Sequence, residues 1–276
     1  WVISELKRLN PGFEFNIEKI STKGDRITDA PLSRLGGVGL FTKELEVSLI
    51  KQKIDIAVHS AKDVPTELHD GLIIGATPLR EDPHDALISN NNSNLEKLPD
   101  NARIGTSSLR RRAQLLTFRP DFKILDLRGN LDTRLKKLET DDLDAIVVAH
   151  AGLRRLGYTG PVSQIIPFDI MLPAVGQGSL CIEIRKDDDR IHKIVSCIND
   201  AQTKTAVEAE RALLAKLQGG CQVPIGAYAQ IHGSELHLEA IICTMDGDHA
   251  IRDNQSGPIN QAAKIGDELA QRMLEN

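Results

Sequence analysis

The stretch LQGGCQVPIG, Leu217 to Gly226, sets Cys221 between a glycine pair and a Val-Pro step, directly after a run that reads as a long helix. A cysteine that only fills a core behaves as a small hydrophobe and needs no such open corner. A lone thiol at such a rigid, open corner therefore calls for a role beyond packing. A second stretch, AVHSAKDVP, ends a strand with His59, Ser60, Lys62 and Asp63 close together before Pro65. A carboxylate fixed at a strand end beside an amine can stabilise a developing cation and move a proton. The plainer reading of Asp63 is a turn-capping aspartate. A hydrolase triad does not follow from this adjacency, because neighbouring residues of a strand face opposite sides.

Arginine recurs where strands hand over to helices. Arg110, Arg111 and Arg112 follow GTSS, Arg128 sits in DLRGN with Arg134 farther along the following helix, and Arg154 and Arg155 follow AHAG. In α/β sheets ligands collect beyond the carboxyl ends of parallel strands, where helix N-termini offer N–H groups to anions. The planar guanidinium holds a carboxylate or phosphate through two hydrogen bonds. Any one of these side chains could be solvated surface, but recurrence at successive junctions points to an anion-binding wall. GTSSLRRR lacks the lysine of a phosphate loop, and GGVGL lacks the spacing of a dinucleotide fingerprint and reads as a turn.

Composition narrows the classes. A net charge of −5 and 3% aromatic residues argue against a nucleic-acid-coating protein and against base-stacking platforms. No apolar run is long enough for a bilayer. The four cysteines show neither zinc-ligand nor disulfide-scaffold spacing, which fits a reducing cytoplasm. The histidines carry no metal-ligand pattern, so no metal is expected, and most should face solvent.

The elements that must hold these residues alternate. FEFNIEKI, IDIAVHS, LIIGATP, DALISN, ARIG, KILDL, DAIVVAH and GSLCIEIR read as strands. LFTKELEVSLIKQK, SLRRRAQLLTF, LDTRLKKLE, GLRRLG and DRIHKIVSCIND read as helices, with Leu40, Leu45 and Leu49 on one stripe of the first. That alternation predicts α/β domains with largely parallel sheets. TKTAVEAERALLAKLQGG reads as a long helix stopped by glycines. Beyond Gly226 the pattern predicts a small antiparallel sheet turning at Asp246 and Gly247, closed by a helix from about Asn260.

The blocks VHSAKDVP, REDPHDALIS, GTSSLRRRAQL, LRGNLDTRL, AHAGLRRLG, LPAVGQGSL and GGCQVPIGAYA together closely resemble hydroxymethylbilane synthases, also called porphobilinogen deaminases. They occur in the family's order and span most of the chain. The resemblance implies three domains: two lobes similar to those of type II periplasmic binding proteins, and a small α+β C-terminal domain with an antiparallel sheet. Domain 1 would take 1–78 and 179–197, domain 2 84–172, and domain 3 201–276, with hinges near Thr77 to Asp82 and Leu172 to Gly178.

The resemblance further implies a transferase that joins four porphobilinogen molecules, with loss of ammonia, onto a covalent dipyrromethane primer, for tetrapyrrole and haem synthesis. Cys221 would carry that cofactor as a thioether and Asp63 would be the catalytic carboxylate. Arg110, Arg111, Arg128, Arg134 and Arg155 would meet the acetates and propionates, with Ser60, Lys62, Thr106, Ser108 and Gln177 as further polar contacts. A cytoplasmic monomer without nucleic-acid or membrane partners is expected. The competing reading is a non-enzymatic small-anion-binding module of periplasmic-binding-protein type.

Two departures from the family pattern stand out. The family's N-terminal strand, with an R-x-S-x-L-A type motif, precedes the first residue here, and the expectation is a truncated record of a competent enzyme. Val38 stands in GGVGLF where many relatives carry lysine.

Overall fold

The computed structural model describes residues 1–26, 39–218 and 223–275 of the chain. Val38 and Cys221, both singled out by the sequence, lie outside the described residues.

Three sheets organise the described chain, and its helices include α1 (Val2–Leu9), α2 (Lys23–Arg26), α3 (Lys43–Ile50) and α7 (Asp189–Ser196). The first has the order β1 (Ala57–Ser60), β8 (Leu180–Arg185), β2 (Leu72–Ala76), with both ladders antiparallel. The second has the order β5 (Lys123–Leu125), β4 (Arg103–Gly105), β6 (Ala145–Ala149), β3 (Asp85–Ser89), β7 (Gln164–Ile166). Here β4 pairs in parallel with β5 and β6, whereas β3 runs antiparallel to β6 and β7. The expectation of largely parallel sheets is therefore corrected. The strands that violate it, β3 and β8, are those that follow the two crossing segments, so they enter their sheets from the opposite end to strands fed by a preceding helix.

FEFNIEKI does not form a strand: Phe13 to Ile20 joins no ladder among the described residues. An alternating pattern becomes a strand only beside a hydrogen-bonding neighbour. Phe15 still packs on the first core, while Ile17 is 70% exposed.

The second sheet is buried on both sides, which is why DALIS and AIVV read as continuous apolar runs. On one face Leu87, Ile104, Ala145 and Val147 meet Leu115 of α4 (Leu109–Phe118). On the other, Ala86, Ile88, Ile146 and Val148 meet Leu138 of α5 (Leu131–Thr140) and Leu153 of α6 (His150–Arg155). Period-2 alternation thus divides one strand between two cores. Ser108 caps α4 by accepting from Arg111 N, and Asn130 caps α5 by accepting from Thr133 N.

The third sheet, β9 (Ile225–His232), β10 (Glu235–Cys243) and β11 (Ala250–Pro258), is antiparallel throughout, as the sequence predicts. It is covered by α8 (Ala201–Lys216) and α9 (Ala262–Leu274), whose Ala209, Leu213, Ile265 and Leu269 pack on Ala227, Ala229, Leu236 and Leu238.

A buried carboxylate fastens this third unit to the rest. Glu210 lies on the apolar stripe of α8 and is 0% exposed. It accepts from Arg80 Nη1 at 2.5 Å, from Gly176 N at 2.6 Å and from Ala229 N at 2.9 Å. Those partners belong to the first crossing segment, the second crossing segment and β9. The crossings also touch each other at Gly178, where φ is +87° and a Cβ would sit 2.3 Å from Glu81 O. Only glycine fits there. Arg80→Ala would leave the Glu210 charge buried and unpaired, and is expected to lower unfolding stability by about 3–5 kcal/mol. An unchanged urea midpoint would contradict this.

Candidate active site

Strand β1 runs directly into a 3-10 turn, Ala61–Asp63, that presents Lys62 and Asp63 at its end. Gly176 packs against this turn, its Cβ position 2.9 Å from Ala61 Cβ and 3.2 Å from Lys62 N. The turn is thereby held between its own sheet and the second crossing. Asp63 keeps some exposed area, yet desolvation is its largest perturbation and pushes its carboxyl above the ordinary aspartate value. The charges of Lys62, His59 and Arg134 oppose that rise. Burial pushes the Lys62 amine down; Asp63 resists this and the Arg111 charge reinforces it. A raised acid beside a lowered amine brings the proton affinities of the two groups closer together, which suits proton transfer.

The arginines divide into two groups. Arg110 and Arg111 are buried, at 5% and 4% exposure, and close over Asp85, which is 0% exposed. Arg110 Nη1 donates to Asp85 Oδ2 and to Leu172 O, each at 2.7 Å. Arg111 Nε donates to Asp85 Oδ1 at 2.9 Å and its Nη1 to Val147 O at 3.1 Å. Gln177 Nε2 joins at 3.0 Å from Asp85 Oδ1 and 2.7 Å from Pro83 O. Two guanidiniums hold the Asp85 carboxyl far below the usual range despite its burial. Most donors of Arg110, Arg111 and Gln177 are committed to a buried hub that joins β3, α4 and the second crossing. An uncompensated carboxylate on a fully buried strand forces that outcome.

Arg128 and Arg134 are the part-buried pair of the second group. Arg134 Nε donates to Gly129 O at 2.9 Å, and burial with the neighbouring charges of Arg111 and Arg128 pulls its guanidinium down to about 10. Like charges held this close favour a bound anion. Arg155 is exposed and reaches from α6 to Gly178 O at 2.6 Å, so it spans from the second sheet to the crossing.

Thr106 and Ser108 line a cavity of about 370 Å³ with Arg112, Asp126, Met245 and Asp246. Asp63 and Lys62 are not among its lining residues, so the cavity and the acid–amine turn are separate features. Ser60 ends β1 exposed, opposite Leu180. Cys181 and Cys243 are buried with thiols pushed up to about 11, which makes them poor nucleophiles.

Sequence reasoning missed four groups here. Asp85 and Glu210 were visible as carboxylates on otherwise apolar faces, a pattern that demands a buried partner. His59 is an exception to the expectation that most histidines face solvent: it is buried and sits 3.0 Å from Glu183 Oε2. Likewise His84 and His150 share Asp82 at 2.6 and 2.8 Å, and the His84 ring stacks on Phe168 at 3.9 Å. Among the described residues no cluster of three or more metal-ligand side chains occurs, and no helix is long and apolar enough to cross a membrane.

Two α/β units joined by paired crossings, with an acid–amine turn within electrostatic reach of Arg110, Arg111 and Arg134 and a third unit fastened to both crossings, define a three-sheet α/β protein with a basic site. Residues 1–193 match the family model "Porphobilinogen deaminase, dipyromethane cofactor binding domain", and residues 204–275 match "Porphobilinogen deaminase, C-terminal domain". The chain belongs to the porphobilinogen deaminase family. It is 49% identical over 274 residues to the porphobilinogen deaminase of Desulforamulus reducens, covering 99% of this chain and 89% of that protein. Against the Pelotomaculum thermopropionicum porphobilinogen deaminase it is 50% identical over 275 residues, covering 100% and 88%. Among solved structures, the Bordetella pertussis BvgS periplasmic VFT2 domain aligns at TM-score 0.40 and 13% identity over 70% of this chain and 73% of that one. The fold described above rests on its own strand order.

Proposed function

We propose that Asp63 is the carboxylate that assists ammonia loss and chain growth in this porphobilinogen deaminase, and that Cys221 anchors its dipyrromethane cofactor. The activity, in tetrapyrrole biosynthesis, is that of the family. The observation that carries the residue assignment is the Asp63–Lys62 turn, desolvated and facing the charge of Arg134.

The donor set fits a cofactor rich in carboxylates. Arg128, Arg134 and Lys62 supply cations, Thr106 and Ser108 supply hydroxyls, and the buried Arg110 Nε has no hydrogen-bond partner among the described residues. When bound, the cofactor supplies a nucleophilic pyrrole carbon at its free end. Every other task falls to the chain. Asp63 donates a proton toward the departing amine of porphobilinogen, then, as a carboxylate, faces the cationic carbon left behind. Lys62 and Arg134 keep that carboxylate from being neutralised too readily. Arg128, Arg134 and Arg155 take the acetate and propionate groups, each charge-assisted bond contributing about 1.5–3 kcal/mol. Arg110 and Arg111 set the electrostatics from behind, through Asp85.

We extend the same reading to organisation: 1–78 with 179–197, 84–172 and 201–276 as the three domains, acting as a cytoplasmic monomer on porphobilinogen alone. The relatives matched are bacterial deaminases.

Two tests arise here. Arg128→Ala and Arg155→Ala should accumulate shorter enzyme-bound chains, visible as intermediate masses on the intact protein. Uniform loss of primer without stalled species would contradict the assignment. Lys62→Gln removes a charge that lowers the Asp63 value, so the Asp63 carboxyl should rise further. The protonated Asp63 that donates to the departing amine is lost as pH rises through that value, so the alkaline limb of kcat should move to higher pH. An unmoved or lowered limb would contradict it.

A further inference from the structure

The three residues that follow Asp63 are not held by their own sheet. Val64, Pro65 and Thr66 lie beyond the 3-10 turn, outside any ladder, and Pro65 has no N–H to give. Their carbonyls are met instead by one side chain from the third unit. Arg211 of α8 donates from Nη1 to Val64 O at 3.0 Å and from Nη2 to Pro65 O and to Thr66 O, the last at 3.3 Å. Nothing in the sequence links residues 64–66 to residue 211, which are separated by about 145 positions. A guanidinium is the one side chain with a rigid fork of donors able to meet several backbone oxygens at once.

We infer that Arg211 is a positioning residue for Asp63: it fixes the backbone that carries the carboxylate, and it does so from α8, the helix that precedes Cys221 in the sequence. The inference rests on the proposed role of Asp63. Its neighbour Glu210 fastens the same turn of α8 to Arg80 and Gly176, and Gly176 packs on Ala61 and Lys62. Consecutive residues of α8 therefore grip the acid–amine turn from two sides, Arg211 past its end and Glu210 through the crossing behind it. α8 ends at Lys216, and Cys221 follows five residues later in the chain. Burial pulls the Arg211 guanidinium below its usual value, with the Cys181 thiol alongside, which is consistent with a side chain committed inward rather than to solvent.

The test separates positioning from mere stability by counting turnover per primed molecule. In the Arg211→Gln variant, intact mass gives the primed fraction, a thermal melt gives stability, and steady-state assay with porphobilinogen gives kcat and KM. The expected result is kcat per primed molecule about tenfold or more below wild type with KM within about twofold, since small displacements of a catalytic group cost rate rather than binding. Arg211→Lys, which retains charge and can reach one of the carbonyls, should fall between the two, and it decides the matter by the same ratio if Arg211→Gln does not fold. A lower melting temperature with wild-type kcat per primed molecule would overturn the inference and leave Arg211 a structural clamp. Asp63→Asn run in parallel distinguishes the failures: if it is inactive while the Arg211 variants are fast, only the positioning role falls, and if it is active, the reading of Asp63 falls as well.

Discussion

Asp63→Asn should fold, carry its primer and turn over porphobilinogen at least about 10³-fold more slowly than wild type. The substitution preserves size and most of the packing of the 3-10 turn, so Ala61, Gly176 and the Arg211 clamp remain in place. It removes both the ionisable proton and the negative charge. Neither is replaceable from nearby, because the groups acting on Asp63 are basic, the cations Lys62 and Arg134 together with His59. With the carboxylate gone, those cations would face the cationic carbon left by ammonia and oppose its formation. Loss of charge should also relieve the desolvation penalty that Asp63 bears, so the variant is expected to be no less stable than wild type, and a thermal melt checks this. A variant that unfolds early would mean that the carboxylate serves structure.

Cys221→Ser should abolish product formation while leaving the fold intact. Serine is nearly isosteric, but its hydroxyl is about five pKa units or more above a thiol and attacks carbon poorly. No other described cysteine can substitute: Cys181 and Cys243 are buried with raised thiols, and Cys197 spends its sulfur on Ile194 O and Asn10. Without an anchored primer the arginines would bind free substrate with nothing to extend. Steady-state assay and circular dichroism on the same preparation distinguish this from misfolding.

Much of the architecture was legible because the cues were local. The apolar runs of DALIS and AIVVA and the Asp246–Gly247 turn each determine their element from a few neighbouring residues. What was not legible depended on distant partners. FEFNIEKI alternates like a strand, but a strand also needs a neighbour. The parallel arrangement failed at β3 and β8 because direction there is set by the crossings, which periodicity does not encode. In the site, chemistry-bearing types at element ends were readable as candidates, whereas their allegiance was not. Arg110 and Arg111 look the same in sequence as Arg128, yet one carboxylate at Asp85, about 25 residues upstream, claims both. Arg211 gave no signal, since its partners are main-chain oxygens that any sequence would supply.

The central claim is that a thiol at position 221 holds the growing chain where Asp63 can serve it. The most direct measurement is the mass of the purified protein and of its Cys221 peptide, before and after brief exposure to porphobilinogen. The expected outcome is a covalent addition of two linked pyrrole units on that peptide, further additions in single-pyrrole steps after exposure, and none in Cys221→Ser. A wild-type protein that makes product with an unmodified Cys221 peptide would contradict the account.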